Sequence, residues 1–302
     1  MEYRELKAAI ASKEGLHPDE IICGNGASEL IMAAVRAEKP VNCAVVSPSF
    51  SGYERAIRAY GAGIRYYELD AKNGFGYDNV CSQLLTSDIQ ICFICNPNNP
   101  TGNIVPKAIF MDILDVCKRR NIRLVVDECF LRFHPAYEDI SCKRYLFEYD
   151  NLVVINAFTK FYAMAGIRLG YMMCHDRGFL DKAKEQLPEW NISSIAQRAG
   201  IEALKDNSYE EKTRRLISEE RRYIISELKN AGCKVYPSEA DYITFRLPEK
   251  SRRCNLMEEL LKRKILIRSC DSYRNMPSGC YRIAVKKHED NECLIKNIME
   301  VQ

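Results

Sequence analysis

The chain has no run of apolar residues long enough to cross a bilayer, which excludes a helical membrane span. It also lacks a charge excess. The 44 basic and 41 acidic residues leave +3, too little for a surface that takes nucleic acid or anionic lipid. Paired arginines such as Arg119-Arg120, Arg214-Arg215 and Arg221-Arg222 fall in helical patterns among glutamates and read as solvated faces. Histidine is scarce, at four residues, and no two stand at ligand spacing, so no metal is expected. Internal repeats, low-complexity linkers and a signal-peptide pattern are absent as well.

Cysteine is the exception, with fourteen. Cys92 and Cys95 form a C-x-x-C, but in a predicted strand an offset of three points them to opposite faces, and no second pair completes a zinc set. Cys43, Cys81 and Cys174 sit among aliphatic residues. Small buried hydrophobes in a reducing cytosol are the expectation. At 302 residues, 47% apolar and 28% charged, the chain suits one large core or two unequal domains.

Short apolar runs at residues 21–23, 41–46, 89–95, 123–126, 152–157 and 168–174 read as strands. Between them lie stretches of helical spacing, such as 30–37 and 109–117. Alternating strands and helices with non-alternating strands predict an α/β fold whose mainly parallel sheet is covered on both faces. From about Ser193 the texture changes. A charged helix is predicted over about 208–231, followed by strands at 242–247, 265–268 and 281–285 and helices at 256–262 and 289–299. The domains expected are a large one over 1–205 and a smaller α+β one over 206–302.

The candidate chemistry clusters at strand ends, where open α/β sheets bind ligands. Asn96-Pro97-Asn98-Asn99-Pro100-Thr101-Gly102 follows the run ending at Cys95, and its prolines and glycine force a sharp turn. Alone, such a cluster is an ordinary loop. Asp127 ends Leu124-Val125-Val126 and either caps a helix or faces a cation or a protonated ring nitrogen. Lys160 lies just past the run ending at Ala157. It is a surface lysine, or a partly desolvated amine able to form a Schiff base. Gly24-Asn25-Gly26-Ala27-Ser28 precedes a helix start, which either turns the chain or cradles a phosphate. Phe50 could present its face to a planar ring or fill the core. Arg268 and Arg282 at strand edges suit an anion clamp, with exposed salt bridging as the alternative.

Together these residues resemble the class I/II aminotransferase family, fold type I enzymes that use pyridoxal 5'-phosphate. The Asn-Pro-x-Asn-Pro-Thr-Gly turn, the strand-end aspartate and Thr159-Lys160 followed by Gly166-Ile167-Arg168-Leu169-Gly170 stand in the family's order and spacing over nearly the whole chain. The resemblance implies that Lys160 carries the cofactor and moves the Cα proton, and that Asp127 keeps the pyridine nitrogen protonated. It further implies that Asn99 bonds the ring O3', that Phe50 stacks on the ring, and that Gly26, Ala27, Ser28, Arg168 and Thr159 bind the phosphate. Within the family, Thr159-Lys160-Phe161-Tyr162-Ala163, Phe130 three residues after Asp127, and the arginine pair are similar to the L-threonine-O-3-phosphate decarboxylases of the cobalamin pathway. These are relatives of the histidinol-phosphate aminotransferases.

The implied protein is a cytoplasmic homodimer that decarboxylates a phosphorylated amino acid, with Arg268, Arg282 and Asn99 at the substrate. An aminotransferase on a histidinol-phosphate-type amine is the alternative. Two departures stand out. Ala157 occupies a position where relatives often carry a phosphate-binding Ser or Thr. The sequence also begins only about twenty residues before the glycine loop, where relatives have a further segment over the substrate. A cofactor-binding protein with little turnover is the reading that this second departure adds.

Overall fold

A computed structural model describes residues 3–78, 81–251 and 255–302. Its main sheet has seven strands: β1 (Ile21–Gly24), β2 (Asn42–Ser47), β3 (Gly63–Glu68), β4 (Ile91–Cys95), β5 (Arg123–Asp127), β6 (Leu152–Ala157) and β7 (Gly170–Cys174). Their order is β1-β7-β6-β5-β4-β2-β3, with β7 antiparallel to both its neighbours and every other pairing parallel.

The strands β4 to β7 are buried along nearly their whole length, and alternate residues feed two separate cores. Ile91, Phe93, Val125, Val153 and Ile155 pack on one face with the helices Ala27–Glu38, Ser51–Tyr60 and Arg177–Lys184. Cys92, Ile94, Leu124, Val126, Leu152 and Val154 pack on the other, under Arg4–Glu14, Lys107–Arg119 and Asn207–Asn230. Cys92 and Cys95 thus point into opposite cores, as the period of a strand requires. The described cysteines are free, and all but Cys293 are buried.

A second sheet, in the order β10-β11-β9-β8, is wholly antiparallel and consists of β8 (Lys234–Val235), β9 (Tyr242–Arg246), β10 (Arg268–Ser269) and β11 (Cys280–Ala284). The core that lies under Asn207–Asn230 continues into it through Ile243, Phe245 and Ile283.

Two details depart from the pattern read in the sequence. The edge strand β3 was not foreseen: half exposed and carrying Arg65 and Glu68, it has no apolar run to show. The triplet Ile265-Leu266-Ile267 is not in a strand. Lys264 takes a left-handed φ of 63°, Leu266 is 80% exposed, and pairing begins only at Arg268, while Arg282 lies mid-strand in β11. Among the described residues no helix is long and apolar enough to cross a membrane, and no group of His, Cys, Asp and Glu could hold a metal.

Candidate active site

The β1–β7 and β6–β7 registers align Gly24 and Ala157 with Gly170, so β1, β6 and the start of β7 share one edge of the sheet. The carboxyl ends of β2, β4 and β5 lie along the same edge. Every candidate residue of the main sheet therefore falls on one rim.

At one end of that rim, the helix Ala27–Glu38 begins after Gly26, whose φ of 78° suits glycine, and no side chain caps it. Its first amides are thus available to an anion. Arg168, exposed and with φ 60°, lies directly above: a Cβ on Gly26 would stand 2.5 Å from its guanidinium. Gly170 lets β7 pass close beneath, since a Cβ there would stand 2.8 Å from the Ala27 nitrogen. Ser28 is exposed at the helix start, Thr159 is buried next to Lys160, and Ala157 is buried with no polar group to offer.

In the middle, Asp127 is buried at the tip of β5. One carboxylate oxygen accepts the Cys129 amide at 3.0 Å, and the other accepts the Tyr53 hydroxyl at 2.7 Å. Tyr53 is fully buried and stacks on Phe93 at 5.2 Å, while Phe50 meets it edge-on at 5.5 Å. The turn at 96–102 is clasped from both sides. Asn98 donates to the Pro48 carbonyl at 2.9 Å, and Tyr242 of β9 donates to the Asn98 carbonyl at 2.8 Å. Thr244 donates to the Pro100 carbonyl, and Gly102, with φ 83°, leaves room for Ser238. Buried Asn99 accepts through its Oδ1 from Arg282 and, at 3.1 Å, from Tyr273.

Over the centre opens a cavity of about 810 Å³ whose wall includes Lys160, Phe130, Asp241, Tyr242, Arg268 and Arg282. Lys160 belongs to the short helix Phe158–Phe161 and is exposed rather than partly desolvated, its ammonium 5.3 Å over the Phe130 ring. Phe130 meets Tyr242 edge-on at 4.9 Å. Arg268 and Arg282 are directly opposite in the β10–β11 register, with their guanidiniums over the rings of Tyr273 and Tyr242. A smaller cavity of about 50 Å³ joins Arg268 to Phe50.

Reading the sequence missed Tyr53, Asp241, Tyr242 and Tyr273. Tyr53 stands three residues after Phe50, one turn along the same helix start, and that spacing was its only signal.

A lysine and an aspartate at neighbouring strand ends, with an arginine over an uncapped glycine helix start, suit the three ends of one cofactor: an aldehyde carbon, a pyridine nitrogen and a phosphate. The fold and this set of side chains define a fold type I enzyme dependent on pyridoxal 5'-phosphate. A family model of aminotransferase class I and II matches residues 1–298, and the chain belongs to that family. It is 32% identical to the threonine-phosphate decarboxylase of Salmonella typhimurium, over 99% of this chain and 82% of that one. It is 34% identical to the histidinol-phosphate aminotransferase of Oleidesulfovibrio alaskensis, over 98% and 77%. The crystal structure of the Clostridium acetobutylicum histidinol-phosphate aminotransferase superposes with a TM-score of 0.91 at 30% identity, covering 99% of this chain and 88% of that one.

Proposed function

We propose that this enzyme decarboxylates a phosphorylated amino acid, L-threonine O-3-phosphate, as a cytoplasmic homodimer built from a large part over 1–205 and a smaller part over 206–302. The observation that carries the reading is the register of Arg268 against Arg282 on the cavity that also holds Lys160. Like charges directly opposite on an antiparallel pair repel, and an anion between them removes the penalty. A substrate with both a phosphate and a carboxylate meets two bidentate partners there.

When bound, pyridoxal 5'-phosphate supplies an electron sink for the pair left at the substrate Cα. In this reading the amides of Gly26, Ala27 and Ser28 hold its phosphate with Arg168 and the Thr159 hydroxyl, Phe50 covers its ring, and Asp127 accepts from its ring nitrogen. Asn99 has its Oδ1 occupied by Arg282 and Tyr273, which leaves the Nδ2 protons for the ring oxygen. Lys160 carries the cofactor and moves a proton at Cα. A clamp by Arg268 and Arg282 would fix which Cα bond is presented for breaking, and presenting the bond to the carboxylate would select loss of carbon dioxide.

The similarity to histidinol-phosphate aminotransferases supports a second reading, amino transfer from a phosphorylated amine. Purified protein supplied with pyridoxal phosphate and threonine phosphate is expected to release carbon dioxide and aminopropanol phosphate. Keto-acid-dependent amino transfer without gas release would instead assign the second reading. Cofactor binding without product from any phosphorylated amino acid would leave a binding protein.

A further inference from the structure

Arg268 and Arg282 leave the β10–β11 ladder side by side, and two like charges on flexible stems splay apart unless something holds their heads. Tyr273, in the chain between those strands, touches both. The Arg268 guanidinium lies over its ring at 5.2 Å, and Arg282 Nη1 donates to its hydroxyl at 3.5 Å. The hydroxyl donates in turn to Asn99 Oδ1 at 3.1 Å, an oxygen that also accepts from Arg282 Nη1. One phenol thus joins the two cations to the turn at 96–102. These contacts use a single nitrogen of Arg282 and leave its Nε and Nη2 to an anion. Arg268 is exposed and makes no hydrogen bond among the described residues, so the ring is what steadies it. Tyr273 is itself held: it is buried, its amide donates to the Cys270 carbonyl at 3.0 Å, and the two residues after it are tied to the main sheet. Ser47 donates to the Arg274 carbonyl at 3.2 Å, and Asn275 donates to the Leu69 carbonyl at 2.7 Å. Burial holds the Tyr273 phenol above its ordinary value against the pull of both arginines, so the hydroxyl keeps its proton.

We infer that Tyr273 is a positioning residue that acts through Arg268 and Arg282, spacing the two guanidiniums for a substrate that carries one anionic group for each. This rests on the reading of the pair as the substrate clamp and deepens it by naming what sets the clamp's span. The strand register places the stems, and the phenol places the heads. Tyr273 lines the small cavity with Phe50 and Arg268, whereas Lys160 lines the large one, so its effect on a substrate beside Lys160 passes through the arginines. Either arginine alone can hold a single anion, whichever way its neighbour points. Two anionic groups on one small molecule need both heads at a fixed separation. Loss of the brace therefore penalises ligands with two anionic groups and spares those with one.

The test compares the full chain with Tyr273→Phe and Tyr273→Leu, all loaded with pyridoxal phosphate so that its own phosphate site is filled. Three unreactive probes are titrated by ligand-observed NMR: β-phosphonopropionate, which has both a phosphonate and a carboxylate, and ethylphosphonate and propionate, which have one each. Tyr273→Phe keeps the ring under Arg268 and removes the hydroxyl, and is expected to weaken β-phosphonopropionate about fivefold. Tyr273→Leu removes the ring as well, and is expected to weaken it about twentyfold. Both variants are expected to leave the two single-anion probes nearly unchanged. With threonine phosphate, KM is expected to rise while kcat holds. Equal weakening of all three probes, or of none, overturns the proposal, as does a wild type that does not prefer β-phosphonopropionate over the single-anion probes. A wild type that prefers it but releases no carbon dioxide from threonine phosphate overturns the decarboxylase reading instead, and the probes still judge the brace on their own.

Discussion

Tyr53, fully buried, donates its hydroxyl proton to Asp127 at 2.7 Å, and burial with that carboxylate close by holds the phenol far above its ordinary value. It is therefore a donor at every working pH. A hydrogen bond to a charged group contributes about 1.5–3 kcal/mol. Tyr53→Phe keeps the stacking on Phe93 and removes that bond. Cofactor affinity, followed by titrating cofactor-free protein with pyridoxal phosphate, is expected to fall at least about tenfold. Equal affinities would reduce the tyrosine to core filling.

Gly26→Ala places a methyl group 2.5 Å from the Arg168 guanidinium and forces a side chain onto φ 78°. With ψ at 167°, this backbone is essentially confined to glycine and costs any side chain about 1–3 kcal/mol. Arg168 is exposed and can swing away, so the fold is expected to survive while the phosphate cradle opens. Thermal melting should change by a few degrees and cofactor retention on dialysis should be lost. A variant that keeps its cofactor would remove Gly26 and Arg168 from the phosphate site.

Asn99→Ala has two expected effects, because Arg282 and Tyr273 hold the Asn99 Oδ1 and the proposed function gives its Nδ2 protons to the ring oxygen. The pH at which the bound cofactor's visible absorbance changes is expected to rise, since a donor to the ring oxygen is lost. KM for the phosphorylated substrate is expected to rise as well, since Arg282 loses its tether. A spectrophotometric titration and steady-state kinetics separate the two, and an unmoved titration would count against the ring contact.

The Glu14 side chain is fully buried, receives Lys143 at 2.8 Å and pairs with Arg132. Burial acts to raise its carboxyl, but Arg132 and Lys143 outweigh it and bring the value down to about 2 from 4.5. Its contribution to stability is present above pH 4.5 and lost as pH falls toward 2. Glu14→Gln leaves the buried Arg132 with Glu210, at 4.0 Å, as its remaining carboxylate and is expected to cost about 3–5 kcal/mol at neutral pH by urea unfolding. The variant should also lose part of the wild type's acid sensitivity.

Glu128 moves the other way. Burial lifts its carboxyl from 4.5 to about 7 despite hydrogen bonds from Cys142 and Ser141. The folded state holds this proton more tightly than the unfolded one, so the contribution is full below pH 4.5 and is lost as pH rises through 7. By linkage the loss amounts to about 3 kcal/mol. Glu128→Gln is expected to flatten the decline between pH 5 and 8. An equally steep profile in the variant would assign the slope to another group.

The strands β4, β5 and β6 were legible in the sequence because both faces are buried, so nothing interrupts their apolar runs. Asp127, Lys160 and the turn at 96–102 were legible because each breaks such a run at its end. Asp241 and Tyr53 were not. Tyr53 meets Asp127 across 74 positions, and Asp241 and Lys160 line one cavity although 81 positions separate them in the sequence. No local spacing encodes either meeting. The triplet at 265–267 misled for a related reason, since an apolar run can line a cavity instead of pairing.

In the proposed reading, the alignment of Arg268 with Arg282 makes the β10–β11 ladder a ruler for the substrate. Directly opposite residues keep their Cβ atoms about 4.5–5.5 Å apart, so the gap between the two guanidinium stems is fixed by backbone pairing and not by side-chain choice. Sliding one strand by a single residue would turn one arginine to the far side of the sheet. On that reading, selectivity for the length of the substrate is stored in main-chain hydrogen bonds, and changes in the chain between the two strands would retune it without altering either arginine.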